Sequence, residues 1–201
     1  FTMDYIEGES LKEIIAKKCK LSLLDVLRIS EGILSALECI HRQGMVHRDI
    51  KPANIMVEKE TGRSIIIDFG VAKDLSLSST SGGFGFGTSF YMATEQFSDS
   101  RKISSKTDFY SLGVVMYEML VGEVPYDGEK YGEVMYGHLH KPVPDIRDVD
   151  PDLPVGVKDV ISKAMAKEPK DRYHTARAFR AALKKIDEPP TWLGKESPAK
   201  S

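Results

Sequence analysis

The run His47-Arg48-Asp49-Ile50-Lys51-Pro52-Ala53-Asn54 is followed, fourteen residues after its Asn, by Asp68-Phe69-Gly70. These residues place two carboxylates, a lysine and a carboxamide on two short loops joined by an apolar ribbon. One carboxylate can orient and deprotonate an attacking hydroxyl, while an amide oxygen and a second carboxylate suit a hard divalent cation. That set is what transfer of a phosphoryl group from a nucleotide requires, because such a reaction is almost entirely positioning and charge stabilisation.

The loops must be presented by the elements around them. Asn54 to Val57 and Ser64 to Ile67 are short β-rich runs separated by a Thr61-Gly62 turn, and they are expected to pair as a hairpin that brings the Asp49 and Asp68 loops side by side. Upstream, Leu23 to Ile40 carries apolar residues at a 3.6-residue period and reads as a helix stopped near Gly44. Phe1 to Ile6 reads as the end of a strand broken by Gly8, with a helix opening after Ser10 as its cap. Asp108 to Leu120 is apolar nearly all round the helical wheel, as a helix buried in the middle of a lobe would be. Val155 to Met165 and Thr175 to Ile186 read as amphipathic helices separated by the Pro169 to Tyr173 turn. Leu75 to Thr88 is rich in Ser, Thr and Gly, too poor in apolar area to order without something to pin it.

Composition excludes several functions. With 28 basic and 30 acidic residues the formal charge is −2, which offers no polycationic face to nucleic acid and no large field towards an anionic membrane. No apolar run approaches the ~20 residues of a membrane span and no basic-then-apolar leader opens the sequence, so a cytoplasmic piece is expected. A length of 201 residues at 41% apolar content suffices for one domain or one large lobe. Cys19 and Cys39 sit in helical patterns with no CxxC spacing, and are expected as small core residues in a reducing compartment. His138 and His140, two apart and off a shared helical face, are expected to face solvent rather than bind a metal.

Six segments in order, MDYIEGESL, HRDIKPANIM, DFGVAK, GTSFYMATEQ, TDFYSLGVVMYEMLVGEVPYDG and DRYHTARAF, give the stretch from Met3 to Ile186 its character. It resembles the hinge and large C-terminal lobe of eukaryotic-like Ser/Thr protein kinases, most closely the bacterial branch. The resemblance implies an α+β, mainly α-helical fold: a protein-kinase-like C-terminal lobe with short catalytic-loop β-hairpins over residues 1–187, then a flexible tail or linker over 188–201. It implies ATP and Mg2+ as cofactors and protein Ser/Thr hydroxyls as acceptors. Asp49 would be the catalytic base and Lys51 would meet the γ-phosphate, while Asn54 and Asp68 would hold magnesium. Met3, the Asp4 to Ile6 backbone and Met56 would surround the adenine. Asp108 would reach the backbone at His47 and Arg48, and Glu95 and Arg172 would pair to fasten the activation segment. Thr88 would bridge Asp49 and Lys51, a feature that with Lys51 favours Ser/Thr over Tyr. Arg48 and Lys73 would converge on a phosphate carried by the Ser76 to Ser81 stretch, with Thr80 as the chosen site.

The sequence departs from that family in reading Ala93-Thr94-Glu95 where A-P-E is usual and Phe109 where Trp is usual. The glycine-rich phosphate loop, its strand lysine and the partner Glu do not occur in it. Gly82 to Gly87 spaces its glycines as GxGxG after Asp68-Phe69-Gly70, and reads as an activation loop. Two expectations follow: part of a complete kinase, here or as the cytoplasmic part of a larger membrane-anchored one, or a catalytically dead kinase-lobe interaction module. In either case the upper face would be covered by an N-terminal lobe or by a partner.

Overall fold

A computed structural model describes residues 6–68 and 86–187. The fold is mainly helical, with one small three-stranded antiparallel sheet in the order β1-β2-β3. The strands are β1 (Gly8–Ser10), β2 (Ile55–Glu58) and β3 (Ser64–Ile66). Ile55 faces Ile66 and Met56 faces Ile65 across the hairpin, while Ser10 faces Met56 on the other side. Gly62 closes the hairpin with φ +69°, a left-handed conformation that glycine adopts without a steric penalty. Gly8 opens a strand instead of ending one. A Cβ there would lie 2.4 Å from the Val57 carbonyl oxygen, so the absent side chain lets β1 approach β2.

Helix α1 (Leu11–Lys18) begins at Ser10, whose hydroxyl accepts from the Glu13 N–H at 3.2 Å while the Glu13 carboxylate accepts from the Ser10 N–H at 2.9 Å. This reciprocal pair satisfies two of the donors that a helix start leaves open. Helix α2 (Leu23–Arg42) is capped by Ser22, and its apolar stripe Val26, Ile29, Ile33, Leu34, Leu37 and Ile40 is buried. Cys39 falls off that stripe and Cys19 caps α1 with φ +63°; both cysteines are exposed, not core residues.

After two short helices, α3 (Phe86–Ser89) and α4 (Thr94–Ser98), comes the axis of the lobe, α5 (Ser105–Val121). Thirteen of its seventeen residues are buried, so it has no solvent stripe and must be enclosed by other helices. Helices α6 (Tyr131–His140), α7 (Val155–Ala164) and α8 (Ala176–Asp187) complete the lobe. Gly113 permits a close approach of α5 to α7: a Cβ on it would sit 2.8 Å from Met165 and 2.9 Å from Ala164 at the end of α7. Phe179 of α8 stacks on Tyr173 and meets Phe109 edge-on, tying α8 to α5.

His138 corrects the sequence expectation. It is fully buried, with Nδ1 2.9 Å from the Tyr110 hydroxyl and Nε2 3.1 Å from the Phe90 carbonyl oxygen. The carbonyl can only accept, so Nε2 carries the proton and Nδ1 accepts from the tyrosine. Of the pair, His140 alone is exposed. Among the described residues no helix is long and apolar enough to cross a membrane.

Candidate active site

The loop carrying Asp49 leaves α2 through Gly44 and runs to the short 3-10 turn Pro52–Asn54, where proline sits at the first helical position with no N–H to leave unpaired. Ahead of that turn the backbone is strained. Arg48 has φ +67° and, at the end of the hairpin, Asp68 has φ +55°, although neither is glycine. Such conformations cost a residue with a Cβ about 1–2 kcal/mol and persist only where the surroundings impose them.

For Arg48 the surroundings are visible. Asp108, completely buried at the start of α5, accepts the His47 N–H at 2.9 Å and the Arg48 N–H at 2.8 Å, and its Oδ2 also lies 2.7 Å from His41 Nε2. The carboxylate thus fixes two consecutive peptides from one point on a buried helix. The Asp49 N–H then donates to His47 Nδ1 at 3.3 Å.

The side chains after Arg48 converge. Lys51 Nζ donates to Asp49 Oδ2 and to Thr88 Oγ1, each at 3.0 Å, so the lysine stands between the carboxylate and the hydroxyl. Asn54 Nδ2 donates to the Asp49 carbonyl at 2.9 Å and to its Oδ2 at 3.0 Å. These two bonds commit the amide NH2 group to the loop and leave Oδ1 outside them. The Ile67 N–H donates to the Asn54 carbonyl at 2.9 Å, which ties the backbone just before Asp68 to the end of the 3-10 turn; Asp68 itself is exposed. A groove of about 390 Å³ adjoins this cluster, lined by Lys51, Pro52, Ala53, Thr88, Tyr91 and Glu118. Burial pushes the Glu118 carboxyl up, against the opposing effect of the Tyr91 hydroxyl that donates to it at 2.8 Å.

Behind the cluster lies the anchor of the following segment. Arg172 is 1% exposed and donates to both oxygens of Glu95 at 2.8 Å, with Nε on the Ala166 carbonyl and the guanidinium over the Tyr110 ring. Burial pushes the Glu95 carboxyl up, but Arg172 and the Thr107 hydroxyl outweigh it and hold the group below the ordinary carboxylate value. Thr94, where the family usually carries proline, joins the pair: its hydroxyl accepts from Arg172 at 2.9 Å and donates to the Lys167 carbonyl at 2.7 Å.

Of the remaining residues singled out from sequence, Met56 is half-buried on β2 and Ile6 half-buried just before β1. Met3, Asp4, Lys73 and Thr80 lie outside the described residues, as do most of the Leu75 to Thr88 stretch and the 188–201 tail. Arg48 Nε is buried with no hydrogen bond among the described residues. Sequence reasoning passed over His41 and Gln96, and met Thr94 only as a departure from the usual proline. The threonine in place of proline was the one local signal among them.

The protein kinase domain profile matches residues 1–183. The chain is 37% identical over 183 residues to the serine/threonine-protein kinase PrkC of Bacillus subtilis, and 36% identical over 193 residues to PknB of Mycolicibacterium smegmatis. Those alignments cover 90% and 92% of this chain but 28% and 30% of the relatives, so the chain spans under a third of their length. Among solved structures, the Mycobacterium tuberculosis PknI kinase domain superposes with TM-score 0.70 at 26% identity, over 92% of this chain and 64% of that one. Rad53 in complex with AMP-PNP superposes with TM-score 0.73 at 26% identity, over 89% and 44%. A small antiparallel sheet carrying two loops above a helical lobe, and a profile that runs through nearly every element of it, place this chain in the protein kinase family, in its bacterial serine/threonine branch.

Proposed function

We propose that this chain supplies the acceptor-activating half of a Ser/Thr protein kinase site, in which the γ-phosphoryl group of ATP passes to a protein hydroxyl. The observation that carries this reading is the convergence of Lys51, Asn54 and Thr88 around Asp49, with one carboxylate oxygen bonded to both the lysine and the amide. Held in this way, Asp49 accepts the proton of an incoming Ser or Thr hydroxyl and aligns its oxygen for attack. Lys51 keeps a positive charge where the transferred group acquires negative charge, and its bond to Thr88 makes the lysine's position depend on α3.

Asn54 Oδ1 and the Asp68 carboxylate fit a magnesium ion, being hard oxygens, and two protein ligands leave the rest of an octahedral shell to phosphate and water. When bound, the magnesium nucleotide provides the phosphoryl group and the charge neutralisation its transfer needs. Met3, the Asp4 to Ile6 backbone and Met56 are assigned to the adenine. The groove beside Lys51 accommodates an extended substrate segment. The unpartnered Nε of Arg48 supports the assignment of Arg48, with Lys73, to a phosphate on Thr80.

Asp49→Asn in the full-length natural protein tests the reading. Phosphotransfer to protein is expected to vanish while affinity for the magnesium nucleotide stays within about twofold, because only the base is lost. Near-parental turnover by the purified variant would overturn the assignment.

A further inference from the structure

Gln96 bonds in two directions from the first turn of α4. Its Oε1 accepts the Ala93 N–H at 2.9 Å, closing the helix start, and its Nε2 donates to the carbonyl oxygen of Arg48 at 3.1 Å. That carbonyl belongs to the peptide joining Arg48 to Asp49. On the other side of the Arg48 Cα, the N–H is held by Asp108 at 2.8 Å. The residue between these two clamps is the one at φ +67°. A strained residue is kept in place by whatever fixes its flanking peptides. Here one clamp comes from the buried axis α5 and the other from the helix that follows the Thr88 segment.

We propose that Gln96 is a positioning residue for Asp49: it couples the seating of α4 to the orientation of the Arg48-Asp49 peptide, so that the carboxylate points correctly only when α4 is docked. This rests on the reading of Asp49 as the base. The same helix begins with Thr94 and Glu95, the residues gripped by Arg172. Gln96 therefore relays the state of that anchor to the catalytic loop through a single side chain. A lysine bond to Thr88 reaches the same loop from the other end of the segment, at the side chain of Asp49 rather than at its backbone.

Two substitutions in the full-length natural protein separate this role from simple helix capping. Gln96→Glu keeps an acceptor for the Ala93 N–H, and a carboxylate in the first turn suits the helix dipole, but it has no hydrogen to donate to Arg48. Gln96→Met removes both bonds without adding charge. Both variants are expected to lower kcat about tenfold, with KM for the magnesium nucleotide within about twofold of the parent; only Gln96→Met is expected to lower the melting temperature. Parental kcat in Gln96→Glu overturns the proposal, as does a fall in kcat matched by a rise in nucleotide KM. Should Gln96→Met fail to fold, Gln96→Glu decides alone. Asp49→Asn is assayed beside them: if it retains turnover the base assignment fails and the proposal with it, whereas an inactive Asp49→Asn beside a fully active Gln96→Glu overturns the coupling only.

Discussion

A carboxylate offers two acceptor oxygens, and Asp108 spends them on consecutive backbone N–H groups at His47 and Arg48. Asparagine in its place keeps one oxygen and turns an NH2 group towards a donor, leaving a buried N–H unpaired. Such an orphan costs about 1–3 kcal/mol. Asp108→Asn is therefore expected to lower the unfolding free energy by that amount, read as a lower urea midpoint, and to reduce phosphotransfer, while magnesium-nucleotide affinity changes little. The catalytic loop was legible in sequence because its residue types sit within eight positions of one another and each carries its own chemistry. Its backbone conformation was not. Nothing in His47 or Arg48 announces a positive φ, since the cause lies about sixty residues away in α5. Gln96 escaped for the same reason: a glutamine after a helix start reads as a cap, and its second bond runs to a carbonyl 48 positions earlier.

Among elements, α4 depends on a buried charge pair that it does not itself complete. Glu95 and Arg172 are almost fully enclosed, so removing the arginine leaves an uncompensated carboxylate. Arg172→Met is expected to cost about 3–5 kcal/mol by denaturant titration. Thr94→Val keeps the shape and loses one hydroxyl, so its expected cost is about 1 kcal/mol, with the charge pair intact. Equal losses from the two substitutions would show that the hydroxyl matters as much as the charge. The helices themselves were largely legible: the α2 stripe, the all-round apolar α5 and the hairpin follow from period and turn residues. The reading of His138 failed on geometry. Residues two apart on a helix point roughly 200° from each other, so a pair in which one faces solvent sends the other inward. The cysteines failed for a different reason, because a small residue in a helical pattern is placed by its angle on the wheel, and Cys39 lies beside the buried stripe rather than on it.

For the whole molecule, His138 sets an acid limit. Burial, with the Lys167 charge assisting, pushes its imidazole down to about 4, from an ordinary value of 6.5. A depressed histidine binds its proton more readily in the unfolded chain, so stability falls as pH drops from 6.5 towards 4. Between pH 6.5 and 5 that loss is on the order of 2 kcal/mol. Glu95, held below the ordinary carboxylate value, contributes stability that is present above about pH 4.5 and is lost only as pH falls further. The interval from 6.5 to 5 thus lies above the range in which Glu95 contributes. His138→Gln, which has no group titrating there, is expected to flatten the decline of melting temperature across that interval; an unchanged slope would assign the acid sensitivity to another group.

The Glu95–Arg172 pair also has a consequence for how the chain is made. Its members are 77 residues apart, and synthesis proceeds at about 5–20 residues per second, so the carboxylate leaves the ribosome ~4–15 s before the guanidinium that neutralises it. During that interval α4 lacks the cation that its buried carboxylate needs in order to dock. The loop carrying Asp49 and the hairpin can form early, from neighbouring sequence and α2, but the second clamp on Arg48 cannot close until α7 and the turn after it have emerged. Until then the nascent chain carries the Asp49 loop without the cation that completes the α4 anchor.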